Sequence, residues 1–235
     1  MDERFLRNRT LLGEEINAKI SNLRIAIFGL GGVGGYALEA LVRSGINHFL
    51  ILDKDSVDIT NINRQIIATS LSVDKSKCQE WKERILSINP LCEVEILEVF
   101  YDASVDIDFT QYDYVIDCID TITSKLILIE RCKENNVKII SSMGAGNRLD
   151  PTLVRVDDIY KTDIDPLARV MRRELRKRNI KSLPVAYSLE TPLKPNKNID
   201  SKDLRKNIPS SMVFAPAAMG MALASYVIKD LLKNE

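Results

Sequence analysis

Short apolar runs alternate along this chain with longer stretches whose apolar residues recur at helical spacing. Leu23-Arg-Ile-Ala-Ile-Phe28 is β-rich and stops at Gly29, and from Val33 to Ser44 the residues Tyr36, Leu38, Ala40, Leu41 and Val42 mark a helix that ends at Gly45. A second apolar run, Phe49-Leu-Ile-Leu52, is closed by Asp53. The pattern then predicts a helix from about Lys75 to Ser87, bounded by Asn89-Pro90, and another between Ser124 and Asn135. Val94 to Phe100, Tyr114 to Ile116 and Lys138 to Ile140 are the remaining strands of this half. Strands alternating with helices of this length imply a parallel sheet covered on both faces.

After Gly144 the rhythm changes. Asp165-Pro166 opens a charged helix to about Arg178, Pro184 to Glu190 reads as a strand, and a last helix runs from about Ala217 to Lys233. Residues 191–211, with Pro192, Pro195 and Pro209 among Lys and Asn, are expected to form a mobile loop. The fold class is therefore α/β and Rossmann-like, a mostly parallel sheet with helices on both faces, extended by a smaller C-terminal mixed α/β part. Met212 to Ile228 holds 17 residues without a charge, but Pro216 and Gly220 interrupt it. A spanning helix needs about 20 apolar residues, so a helix packed on the sheet is expected, with no stable membrane span.

Composition narrows the chemistry. The 235 residues carry 33 Lys and Arg against 33 Asp and Glu, which argues against a polyanion binder that works by bulk charge. One histidine, His48, nearly excludes a His base or a His-rich metal site. The four cysteines, Cys78, Cys92, Cys118 and Cys132, form no CxxC pair, so neither a zinc knuckle nor a thioredoxin-type site is expected. With no signal peptide in evidence, a cytoplasmic location and reduced thiols are expected.

Gly29-Leu-Gly31-Gly32-Val-Gly34 matches G-x-G-x-x-G between a strand and a helix. Such glycines let phosphate oxygens approach backbone N–H groups at a helix N-terminus. Asp53, 24 residues beyond Gly29, is placed to accept hydrogen bonds from ribose hydroxyls. The motif indicates a nucleotide without choosing between NAD and ATP; glycines used only for strand–helix packing are the structural alternative. The residues past Asp53 favour ATP. Hydride transfer needs no cations around the phosphates, whereas displacement of pyrophosphate from the α-phosphate does. Arg64 and Lys77 supply that charge, and Asn61, Asn63 and Gln65 can orient phosphate oxygens; a polar loop feeding a solvated helix is the plainer alternative. Asp120, at the end of Asp117-Cys-Ile-Asp120 after a strand, is placed to hold Mg²⁺ on the phosphates, with Asp117 structural or behind it. Cys118 is read as a small core residue and not as a nucleophile.

These residues together are familiar. Gly29–Gly35, Asp53-x-Asp55, Asn61-x-Asn63-Arg64-Gln65, Lys77, Ile88-Asn89-Pro90 and Asp117-x-x-Asp120 resemble the ThiF/MoeB/HesA-type adenylating enzymes, relatives of the ubiquitin-activating enzymes. The resemblance implies ATP-Mg²⁺ activation of a carboxylate as its acyl adenylate, usually in a homodimer. It assigns Asp53 to the ribose, Arg64 and Lys77 to the phosphates, Asp120 to the metal, and Arg7 to the partner subunit's nucleotide; Gly29, Gly31, Gly32, Gly34, Asp55, Asn61, Asn63 and Gln65 complete the expected nucleotide site. It divides one domain into a helical arm (about 1–22), a nucleotide-binding core (23–150) and a substrate-binding and dimer-contributing part (151–235). Members that activate carrier proteins commonly use two CxxC pairs around zinc or a late cysteine, and here no cysteine follows Cys132. Instead Ser141–Thr152, Lys161–Ala168 and Tyr187–Glu190 are similar to the branch that acts on tRNA carrying threonylcarbamoyladenosine, closing the threonine carboxylate onto its own carbamoyl group. Activation of a small carrier protein's C-terminus is the alternative, followed by an NAD-dependent dehydrogenase and a non-catalytic tRNA-binding module. A sulfur-transfer partner and a monovalent cation near the dimer contact stay open.

One stretch changes the meaning of the zero net charge. Residues 169–181 contain seven basic residues and one acidic, so the rest of the chain holds 26 against 32. Arg169, Arg172, Arg173 and Arg176 fall on one face of a helix, with Val170, Met171 and Leu175 turned inward. That face reads as a phosphate-tracking stripe for an RNA stem, or as a solvated face that keeps the protein soluble.

Overall fold

The computed structural model describes residues 3–194 and 210–232. Its first strand, β1 (Arg24–Phe28), explains the arrangement of everything around it. Ile25 and Ile27 enter one apolar cluster and Ala26 and Phe28 the other, so the strand is buried on both sides. A strand with no wet face must lie at the centre of a covered sheet, and the order is β3-β2-β1-β4-β5-β7-β6. The partners are β2 (His48–Leu52), β3 (Glu93–Leu97), β4 (Tyr114–Asp117), β5 (Lys138–Ser142), β6 (Val154–Asp158) and β7 (Pro184–Ser188). Every pair is parallel except β6 with β7.

Helices cover the two faces. On the side of Ile25 and Ile27 lie α2 (Glu14–Ser21), α3 (Gly34–Arg43), α4 (Lys77–Ile88) and α7 (Phe214–Leu232), which contribute Ile20, Leu38, Trp81 and Leu223 to the core. On the other side are α5 (Ile122–Glu134) and α6 (Pro166–Lys177), through Leu128, Ile129, Met171 and Leu175. The short α1 (Leu6–Leu12) precedes α2 in the N-terminal arm.

The strand–helix alternation follows the sequence closely; beside shifts of one or two residues at the ends of α4, α6 and β7, three differences stand out. β6 is an edge strand absent from the expected set, because Val154-Arg-Val-Asp-Asp carries only two apolar residues and one of its edges has no partner. β3 ends at Leu97, not at Phe100, which releases Val99, Phe100 and Tyr101 to line a cavity at the edge of the sheet. α7 begins at Phe214, three residues before the expected start, because Pro216 fits a first helical turn whose N–H groups lack partners anyway. Among the described residues no helix is long and apolar enough to cross a membrane. Of the expected loop over 191–211, residues 195–209 lie outside the described residues.

Register sets the position of the site. Phe28 is level with Leu52 on one side and with Asp117 on the other, so β1, β2 and β4 end together. Gly29, Asp53 and Cys118 therefore emerge at one edge, where parallel sheets bind ligands.

Candidate active site

A cavity of about 720 Å³ opens at that edge. Its floor is the glycine loop. Gly29 has φ +89°, and a Cβ there would lie 2.6 Å from the Cys118 carbonyl oxygen; one on Gly34 would lie 1.8 Å from the Gly29 carbonyl oxygen. The loop is thus as tight as the fold permits, and Gly31 and Gly32 face the cavity ahead of the α3 N-terminus, where unsatisfied N–H groups favour an anion.

Asp53 is fixed by the same turn: Oδ2 accepts from the Leu30 N–H at 2.7 Å and Oδ1 from the Asp55 N–H at 2.9 Å. Lys77, the first residue of α4, is buried with Nζ 3.1 Å from Asp55 Oδ2 and 3.9 Å from Asp53 Oδ1. Arg64 enters from the opposite wall. Its Nη1 donates to the Thr60 carbonyl at 2.8 Å and to Asn63 Oδ1 at 2.9 Å, and the residue lines the cavity. Asn61 and Gln65 are both buried in that wall; Asn61 Oδ1 accepts from the Asp58 N–H at 3.3 Å and closes a capping box. Gln65 Oε1 is buried without a partner among the described residues. An orphaned acceptor costs stability unless a ligand donates to it, and a ribose hydroxyl or a metal-bound water can do so.

Asp120 is exposed on the rim of the cavity, and among the described residues its Oδ1 is touched only by the Thr121 hydroxyl at 3.3 Å. The loop that carries it rests on a buried ion pair. Lys125 Nζ lies 2.9 Å from Asp117 Oδ2, both side chains being 0% exposed. Asp117 also accepts from the Ile119 N–H at 3.1 Å and the Ser141 hydroxyl at 2.5 Å, while Lys125 donates to the Ile119 carbonyl at 2.9 Å. Asp117 is therefore the structural carboxylate of the pair, as expected. Removing one partner of a buried pair strands the other charge. Lys125→Met is expected to cost about 3–5 kcal/mol, read as a lowered urea midpoint with an unchanged m-value. Burial pushes the Cys118 thiol up to about 12, reinforced by the Asp117 charge, which disfavours the thiolate that this cavity-lining cysteine would need to act as a nucleophile.

The far wall carries residues that sequence patterns do not mark as part of a site. Val99, Phe100, Tyr101 and Leu52 give the cavity an apolar end suited to a flat heterocycle, and Lys54 Nζ sits 5.0 Å from the Phe100 ring centroid. Beyond β5, Arg148 pairs with Asp165 at 2.9 Å, both buried, and Asp165 Oδ1 caps α6 through the Ala168 N–H at 2.9 Å. Glu190 Oε2 accepts from the Leu149 and Asp150 N–H groups at 2.8 and 2.9 Å. These contacts shape the loop after β5; the sequence marks Asp165 as the residue that opens α6 but not its pairing with Arg148.

The relatives of the chain turn this geometry into a family. A model of the ThiF family matches residues 5–235. The chain belongs to the ThiF family. It is 42% identical to a tRNA threonylcarbamoyladenosine dehydratase of Bacillus subtilis over 100% of this chain and 96% of that one. It is also 32% identical to tRNA threonylcarbamoyladenosine dehydratase 2 of Saccharomyces cerevisiae, covering 98% of this chain and 58% of the yeast protein. Among solved structures, that of Escherichia coli TcdA, a tRNA N6-threonylcarbamoyladenosine dehydratase in complex with ATP, superposes with a TM-score of 0.87 at 31% identity, over 99% of this chain and 95% of that one.

Of the ThiF-type site residues expected from sequence, the fold gathers Gly29, Gly31, Gly32, Asp53, Asp55, Asn61, Arg64, Gln65, Lys77 and Asp120 around one cavity, with Gly34 in the turn beneath it. Two are elsewhere. Asn63 points away, its Nδ2 donating to the Ser211 carbonyl at 2.8 Å. Arg7 is exposed on α1 and does not line its own chain's cavity. The basic face of α6 is also narrower than expected. Arg172 turns back to donate to the Thr162 carbonyl at 2.8 Å, because the helix begins beside that carbonyl. Arg173 pairs with Glu174 at 3.1 Å, and Arg176 lies over the Tyr160 ring at 5.2 Å. Lys177, Arg173 and Arg178 hold the Glu174 carboxyl down at about 2. Ala168, Met171 and Leu175 form the inward face; Val170 is only half-buried.

Proposed function

We propose that this protein binds ATP with Mg²⁺, adenylates the threonine carboxylate of threonylcarbamoyladenosine in tRNA, and closes that carboxylate onto its own carbamoyl group. The observation that carries the reading is the convergence of Arg64, Lys77 and Asp120 on a glycine-floored cavity. A hydride-transfer site has no use for that set of charges. Similarity along the full length to proteins named for the tRNA reaction favours it over activation of a carrier protein.

Each residue then has a task. Asp53, immobilised by Leu30 and Asp55, receives the ribose hydroxyls. The apolar end at Val99–Tyr101 takes the adenine. Arg64 and Lys77 stabilise the charge that builds on the phosphates as the carboxylate oxygen bonds to the α-phosphorus and pyrophosphate leaves. Asp120 and metal-bound water near Gln65 would hold Mg²⁺, which when bound neutralises phosphate oxygens. The second step is intramolecular: the carbamoyl group attacks the activated carbonyl, a bond to AMP breaks, and no enzyme thiol or histidine is required. The elements of one water are lost from the nucleoside and appear in the hydrolysed ATP products. A direct test is that AMP and pyrophosphate form with modified tRNA and not with the same tRNA lacking the modification; equal turnover with both would overturn the assignment.

The reading extends to a cytoplasmic homodimer in which Arg7 serves the partner's nucleotide. Mixing Arg7→Ala with Asp120→Ala subunits is then expected to restore activity, since a mixed dimer contains one intact site; no recovery after confirmed subunit exchange would refute Arg7's role. The tRNA stem is assigned to Arg169, Arg173 and Arg176. Reversing all three charges is expected to weaken tRNA binding about tenfold or more and to lower the salt slope by roughly one unit per lost phosphate contact. Arg172→Glu alone is expected to cost stability at the Thr162 contact more than it costs tRNA affinity.

A further inference from the structure

Asn63 has no place in the cavity, yet both ends of its amide are engaged. Its Oδ1 accepts from Arg64 Nη1 at 2.9 Å and its Nδ2 donates to the Ser211 carbonyl at 2.8 Å, 148 residues away. Only a group that accepts on one side and donates on the other can make both contacts. Ser210, next along, is held from the opposite side: its N–H donates to Asn147 Oδ1 at 2.9 Å and its carbonyl accepts from the Asn147 N–H at 2.6 Å. Asn147 has φ +59°, and its carbonyl accepts from the Leu193 N–H at 2.7 Å. Five residues beyond Ser211, Pro216 packs with the Arg64 stem against Gly32, where a Cβ would meet Pro216 Cβ and Arg64 Cγ each at 3.4 Å.

We propose that Asn63 is a positioning residue that joins the phosphate-binding Arg64 to the Ser210–Ser211 backbone, and so couples the nucleotide cavity to the loop after β5. The proposal rests on the reading of Arg64 as a phosphate ligand. Arg64 Nη1 is already directed toward Thr60, and the Asn63 acceptor fixes the plane of the guanidinium, so Nε and Nη2 meet the triphosphate without first losing rotamer freedom. The donor half of the amide uses the same geometry to hold the chain that leads into α7.

The test is a double-mutant cycle on the full chain, with a non-hydrolysable α,β-methylene analogue of ATP as the probe and calorimetry as the readout. Asn63→Leu, of similar size and without either polar group, is expected to weaken analogue binding about tenfold, and Arg64→Ala about a hundredfold. The double variant is expected to bind no more weakly than Arg64→Ala, because Asn63 acts through Arg64. An undiminished tenfold loss in the Arg64→Ala background would overturn the positioning role. Hydrogen exchange reads the other arm: Asn63→Leu is expected to accelerate exchange in the peptide spanning residues 210–217, and Arg64→Met, which keeps the stem beside Pro216, to leave it near wild type. Unchanged exchange in Asn63→Leu would overturn the coupling. Failure of the functional reading is separable, because wild-type protein that binds the analogue and does not alter modified tRNA leaves the cycle intact.

Discussion

Asp120→Asn is expected to lower kcat on modified tRNA by about a hundred- to a thousandfold while leaving the protein as stable as wild type. The size of the effect reflects what the carboxylate is placed to do. Asp120 stands at the rim of the cavity, and among the described residues it has no cation on it and one weak contact, the Thr121 hydroxyl at 3.3 Å. The fold therefore gains little from its charge, and exposed substitutions of this kind change stability by about 0.5 kcal/mol or less. The chemistry gains much more. Removing a single preorganised electrostatic group from a site that stabilises a developing charge costs about 10²–10³ in rate. The amide keeps the shape and one acceptor oxygen but loses the charge that, on the proposed reading, draws a divalent cation. The check is steady-state kinetics across a Mg²⁺ titration, alongside a urea unfolding curve. Wild-type rates at every Mg²⁺ concentration would remove Asp120 from the mechanism.

The second large effect is expected from Lys77→Met, and its signature differs. Lys77 is 5% exposed and lies between Asp55 at 3.1 Å and Asp53 at 3.9 Å. Its loss removes a phosphate cation and leaves two carboxylates beside the position the triphosphate must occupy. Ground-state binding and the transition state both suffer, so KM for ATP rises and kcat falls, with kcat/KM reduced about a thousandfold or more. Stability falls as well, by about 1–3 kcal/mol, because Asp53 is part of a buried turn while Asp55 is half open to solvent that can take over its charge. Unchanged KM for ATP and unchanged kcat would show that Lys77 serves the turn alone.

The sheet is legible in the sequence because its central strands have no wet face: Ile25, Ile27, Leu50, Ile51, Val115 and Ile116 are apolar on both sides and buried. The nucleotide floor is legible because the turn from Gly29 to Gly34 tolerates no Cβ at its tightest points. The hidden features are charged or polar residues that meet across long separations. Lys125, in the first turn of α5, has the spelling of a solvated side chain, and its burial depends on Asp117 meeting it across the turn. Arg148, Asp165 and Glu190 belong to three segments, and their association is fixed only when β5 and β7 pair. Asn63 sits beside Arg64 in sequence, which suggests a phosphate ligand, but adjacent loop residues face opposite ways, and it faces Ser211. Arg172 fits the helical stripe by spacing, yet the carbonyl of Thr162 lies within reach and takes it. Val99-Phe100-Tyr101 has strand composition and leaves the sheet because β3 ends at Leu97. Local patterns report which face a residue shares; they do not report which distant group will meet it.

The most direct measurement is on the nucleoside itself. The protein is incubated with ATP, Mg²⁺ and tRNA bearing threonylcarbamoyladenosine, the tRNA is digested to nucleosides under mild conditions, and the modified nucleoside is weighed by mass spectrometry while AMP is counted. The predicted result is a nucleoside lighter by one water, formed one for one with AMP, and both formed at least about a hundredfold more slowly with Asp120→Asn. A modified nucleoside of unchanged mass, from protein shown to bind ATP, would contradict the account.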